Sequence, residues 1–213
     1  MRKSMVLMSG CCMTAIAVNA SLAVFEFAGI SSGDNQFNTV TVPPENGSFG
    51  AFTRVNVLWN TGQNVFNSRA WHADDTPDLT QYVGFYITPN TDFGLDLAYI
   101  TFESRRSSSG PNNALVSLFL NGSAVAQENY SFSPATSLTP YTFDFSDIAR
   151  ASSAEFRFYG YGAGGSAGTM QFDSVETFGA FAPVPEPSAS GVVAALGLLG
   201  WAAWKRIFHG KPR

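Results

Sequence analysis

Residues 154–162 read AEFRFYGYG, and this stretch decides the fold. Phe156 and Phe158 stand two apart, with Arg157 between them. A strand sends successive side chains to opposite faces, so the two phenylalanines share one face and Arg157 takes the other. YTFDFSDI (141–148) repeats the rule, with Phe143 and Phe145 on one side and Asp144 on the other. Runs of the same kind occur at 24–30, 37–42, 49–59, 82–88, 95–103, 114–122 and 169–179. Alternation of this type marks antiparallel strands with one buried face, and its recurrence at short intervals marks a sandwich. No long amphipathic helix and no internal repeat competes with that reading. The expected fold is all-β: a two-sheet antiparallel jelly-roll β-sandwich of roughly ten strands over residues 24–182. The 19 phenylalanines, most of them inside these runs, are its expected core.

Turn formers separate the strands. VPPENGS (42–48), ITPNTDFG (87–94) and SSSGPNN (107–113) read as loops. Asn121-Gly122 is the strongest hairpin signal, because both residues tolerate the positive φ of a type I′ turn. GYGAGGSAG (160–168) resembles a phosphate cradle only in its glycines. It has no lysine and opens no helix, so it reads as a flexible connector.

Charge divides the chain into three parts. All 16 acidic residues lie between Val24 and Pro187, where the only basic residues are Arg54, Arg69, Arg105, Arg106, Arg150 and Arg157. The middle therefore carries a net charge of −10, against −4 for the whole chain. An acidic, lysine-free domain is a poor partner for phosphate backbones, which excludes nucleic acid.

The N-terminal end has the layout of a secretory signal peptide. Arg2 and Lys3 precede an apolar stretch from Met5 to Val18, and the small residues NASLA follow. Residues 1–23 are read as this leader, with cleavage after Ala20 or after Ala23. An uncleaved anchor is the alternative. Both cysteines, Cys11 and Cys12, fall inside it. The exported domain then has no disulfide, thiolate nucleophile or cysteine metal site, and its core must hold it together.

Candidate chemistry in the domain is sparse. His72, the domain's one histidine, lies in RAWHADDTPD beside Asp74 and Asp75, with no nucleophile motif near it. The acids of DDTPD (74–78) are one place where a structural calcium could bind. Glu26 in the first strand and Asp173 in the last are a second, by analogy with other sandwiches. No other cofactor is expected. Trp59, Trp71, Tyr159 and Tyr161 are candidates for stacking on sugar rings, with packing in the core or at its rim as the favoured reading. No catalytic residues are assigned, and the chain is not expected to be an enzyme.

The C-terminal end is more specific. Val184, Pro185, Glu186 and Pro187 precede an apolar run from Ser188 to Trp204, and Lys205 and Arg206 follow. Seventeen helical residues span about 25 Å, the short limit for a bilayer. Trp201 and Trp204 suit an interface, and the basic pair acts as a stop-transfer signal that keeps the tail (205–213) in the cytoplasm. This ordered end, residues 183–213, resembles the PEP-CTERM sorting signal of exosortase substrates.

The resemblance implies a Gram-negative host that makes exopolysaccharide, and a precursor exported by Sec. It implies an inner-membrane anchor through one transmembrane helix, with the domain in the periplasm. Exosortase is the implied partner and Val184–Pro187 its substrate motif. The mature domain would then reach the cell surface or extracellular matrix. The expected role is structural or adhesive. The alternative is a lectin-like, carbohydrate-binding jelly roll that contacts exopolysaccharide; a secreted polysaccharide hydrolase ranks behind both.

Overall fold

The computed structural model describes residues 20–29, 37–38, 40–41, 44–132, 137–145, 148 and 150–184. They form two antiparallel sheets and no helix. One sheet runs in the order β11 (Thr139–Asp144), β8 (Phe93–Arg106), β13 (Thr169–Pro183), β6 (Phe66–Arg69), β5 (Leu58–Trp59). Here β1 (Ala20–Glu26) also pairs with β13, farther along the edge that β6 occupies. The other runs β10 (Ser123–Ser131), β9 (Asn113–Leu120), β12 (Ala154–Tyr161), β7 (Tyr82–Pro89), β4 (Phe52–Val55), β2 (Phe37–Asn38), with β3 (Gly47–Phe49) on β7.

The sheets close on aromatic rings. Phe52 is fully buried and its ring centroid lies 4.8–5.9 Å from those of Phe25, Phe27, Phe66, Phe85, Phe158 and Phe172. These rings come from both sheets, so Phe52 ties them together. Burial of each aromatic contributes about 2–3 kcal/mol. The core therefore takes the place of cross-links. Arg54 adds a polar link between the sheets. Its guanidinium donates to Ser68 Oγ at 2.9 Å and to the Asn67 carbonyl at 3.0 Å, and lies 3.6 Å from the Phe66 centroid. Burial pushes its pKa down to about 10.

Several expectations change in detail. The Asn121-Gly122 hairpin is present between β9 and β10, with φ of 51° and 83°. Strand β6 has no alternating signature because Asn67 and Ser68 are buried alongside Phe66. Asn67 Nδ2 donates to the Thr61 carbonyl at 2.7 Å and Ser68 Oγ accepts from Arg54, while Asn67 Oδ1 is buried with no partner among the described residues. The glycine-rich loop is fastened rather than free. Gly162 and Ala163 donate backbone N–H groups to the carbonyls of Asp74 (2.8 Å) and His72 (3.0 Å), and the Ser166 carbonyl accepts from Ala70 (3.1 Å). Strand β1 begins at Ala20, inside the stretch read as leader, and buries Leu22 and Ala23. The rest of that leader and the expected helix at 188–204 lie outside the described residues.

Candidate functional site

Two places on the sandwich carry more than packing requires. The first is the outward face of the sheet that contains β12. Phe156 and Phe158 point inward and are fully buried. Glu155, Arg157, Tyr159 and Tyr161 therefore face outward. Register places Glu155 between Tyr86 on β7 and Phe119 on β9, and Arg157 between Gly84 and Ser117.

Those two small neighbours leave Arg157 room to lie along the sheet. Its Nε and Nη2 donate to both oxygens of Glu155 at 2.7 Å, a bidentate pair. The guanidinium sits 4.1 Å from the Phe119 centroid and 4.8 Å from that of Tyr82, within cation–π range. Hydrogen bonding to Glu155 raises the Arg157 pKa, so the guanidinium stays charged. Burial raises the phenol pKa of both Tyr82 and Tyr159, so both stay neutral near pH 7. The rings of Tyr82 and Tyr159 lie 5.6 Å apart.

Polar edges surround these rings. Gln127 donates to Ser117 Oγ at 3.1 Å, Tyr161 to Asn129 Oδ1 at 3.2 Å, and Ser131 to Asn113 Oδ1 at 2.8 Å. Tyr86 stands 56% exposed beside them. The result is an open face that offers flat apolar surfaces, a fixed charged fork, hydroxyls and amides. It can bind an amphipathic ligand, and no nucleophile and base are paired in it.

The stacking candidates divide. Tyr159 and Tyr161 belong to this face, although Tyr159 is covered. Trp59 stands on β5, at the edge of the other sheet, beside exposed Leu58. Trp71 is a core residue: it is buried and its indole N–H donates to the Ser68 carbonyl at 2.8 Å. Tyr82, Tyr86, Phe119 and the Arg157–Glu155 pair were not among the sequence candidates. The alternation of Glu155, Arg157, Tyr159 and Tyr161 against the phenylalanines was the signal for them.

His72 Nε2 lies 3.3 Å from Asp74 Oδ2 on an exposed loop. In the same loop Asp78 Oδ1 accepts from the Thr80 amide at 2.9 Å and hydroxyl at 2.7 Å, and these bonds hold its carboxyl below the usual range. Asp78 thus serves turn geometry. Glu26 and Asp173 are on paired strands, Glu26 lying opposite Ser174. Among the described residues, no three His, Cys, Asp or Glu side chains gather closely enough to hold a metal ion.

The second place is the end of β13. This central strand pairs with β8 as far as Pro183, opposite Phe93. Val184, the first residue of the expected motif, donates its N–H to the Asp92 carbonyl at 2.7 Å. Arg150 donates to both carboxylate oxygens of Asp96 (2.8 and 2.6 Å) and to the Pro183 carbonyl (3.2 Å). Pro185, Glu186, Pro187, Lys205 and Arg206 lie outside the described residues.

Comparison with known proteins bears on the second place. No curated protein matches the chain. Among solved structures, a family 29 carbohydrate-binding module complexed with mannohexaose is similar at 10% identity and a TM-score of 0.40, covering 76% of this chain and 92% of that one. An arabinose-bound α-L-arabinofuranosidase is similar at 17% identity and a TM-score of 0.42, covering 75% of this chain and 27% of that one. The model of the PEP-CTERM protein-sorting motif matches residues 183–207. The chain thus carries a PEP-CTERM sorting signal, which begins at the last residue of β13.

Proposed function

We propose that this protein is exported, held in the inner membrane as a precursor and sorted by exosortase to the surface or exopolysaccharide matrix. There its β-sandwich has a structural or adhesive role without catalysis. The sorting motif at 183–207 carries this reading, because it ends a domain built to be rigid without disulfides. Fractionation of the native host tests it. Wild-type protein is expected in the surface or matrix fraction, and a variant with Pro185, Glu186 and Pro187 replaced by alanine in the inner membrane. Equal retention of both in the inner membrane would refute it.

A second reading is favoured by the outward face of β7, β12 and β9. Saccharides present C–H faces to aromatic rings and hydroxyls to fixed polar groups, and Tyr82, Tyr86, Phe119, Arg157 and Glu155 offer both. In this reading the domain adheres by binding exopolysaccharide. A glycan array with the wild-type domain and the Tyr86→Ala and Phe119→Ala variants tests it. Binding that both substitutions weaken supports the reading, and binding indifferent to both removes it.

A further inference from the structure

We infer that Arg150 is a positioning residue for sorting: it fixes the end of β13, the point from which the chain enters the sorting motif. This rests on the sorting reading above.

The domain and the motif have no linker between them. Pro183 is still paired in β13, and Val184 is hydrogen-bonded to Asp92. Only Pro185, Glu186 and Pro187 separate Val184 from the apolar run at Ser188. Fully extended, those three residues reach about 10 Å. The residues before the two prolines, Val184 and Glu186, are restricted to extended backbone. The motif is therefore chemically disposed to continue the line of β13.

Arg150 fastens the end of β13. Its fork grips Asp96 on β8, which lies opposite Ala180, and the Pro183 carbonyl at the last rung of β13, so it ties the two strands across their final four rungs. Its own position is set by the pair of hydrogen bonds between Ala151 and Leu95, at 2.8 and 3.0 Å. Its aliphatic stem crosses Gly94, where a β-carbon would run into the Arg150 side chain. These contacts sit at the end of a sheet whose strand order already fixes β13 at its centre. Arg150 and Asp96 themselves are exposed.

A sorting enzyme that binds its substrate as an extended strand receives a segment whose first residue, Val184, is already fixed to the domain, and is spared part of the cost of ordering it.

The test follows the full-length precursor in its bacterial host by pulse labelling, with conversion to the mature mass as the readout. Arg150→Ala is expected to slow conversion about tenfold, the cost of ordering roughly one freed backbone residue. Arg150→Lys, which keeps a donor but loses the fork, should recover part of the rate. Six Gly/Ser residues inserted between Val184 and Pro185 leave Arg150, the Val184 bond and the whole domain intact, so this variant separates position from folding. It too should convert about tenfold more slowly. Conversion of the insertion variant at or above the wild-type rate would overturn the inference. Conversion of the Pro185/Glu186/Pro187→Ala variant at the wild-type rate would instead overturn the sorting reading beneath it.

Discussion

Replacing Phe52 with alanine should cost more stability than any surface change in this domain. The ring is fully buried and meets six other rings drawn from both sheets, at 4.8–5.9 Å between centroids. Truncating a buried phenylalanine costs about 3–5 kcal/mol, and a site ringed by rigid aromatics collapses poorly around the gap. The expected loss is at the upper end, about 5 kcal/mol. The assay is urea unfolding of residues 20–184, followed by the fluorescence of buried Trp71. Midpoint and slope together separate lost stability from lost cooperativity. A loss of 5 kcal/mol can consume the whole stability of a domain, so Phe52→Leu, expected at about 1–2 kcal/mol, supplies a readable variant. A loss below about 2 kcal/mol for Phe52→Ala would show that the sheets are not joined through this ring.

Further outcomes follow from particular groups. Burial raises the folded-state pKa of Tyr82, Tyr130, Tyr141 and Tyr159. The neutral phenols favour the folded state, so their contribution is complete below the ordinary value of 10.0 and is lost as pH rises through it. Arg54 acts in the opposite sense, because its folded pKa is lowered to about 10 and deprotonation relieves its burial. Four phenols outweigh one guanidinium, and urea midpoints should fall above pH 10, less steeply in Tyr130→Phe. Gly122→Ala forces a side chain into φ of 83° and should lower stability by about 1 kcal/mol in the same assay. Tyr86→Ala, on the exposed face, should stay within about 0.5 kcal/mol of wild type while reducing retention on immobilised exopolysaccharide. Melting temperatures with added calcium and with chelator should coincide, and Asp173→Ala should not change that; a calcium-dependent rise abolished by this substitution would establish the Glu26–Asp173 site.

Much of this was legible in the chain because burial writes itself into strands with a period of two. The alternation in 154–162 placed Phe156 and Phe158 inside and Arg157 outside, and Asn121-Gly122 announced its hairpin. Strand β6 escaped because Asn67 and Ser68 are buried with Phe66, which removes the alternation. Core packing is the favoured reading of Trp71, but nothing local shows that the Ser68 carbonyl awaits its N–H. The outward face was half visible in Glu155, Arg157, Tyr159 and Tyr161. Its other half, Tyr82, Tyr86 and Phe119, comes from strands 36 to 79 residues earlier in the chain, joined only by sheet order. The Arg150 clamp was invisible for the same reason: Asp96 lies 54 residues and Pro183 33 residues away in sequence.

The central claim is that the C-terminal end is a sorting signal and not a permanent anchor. Intact mass of the protein taken from the surface of its native host tests this most directly. The account predicts a form that lacks the apolar run and basic tail and ends near Val184–Pro187. A surface protein that still carries residues 188–213 would contradict it.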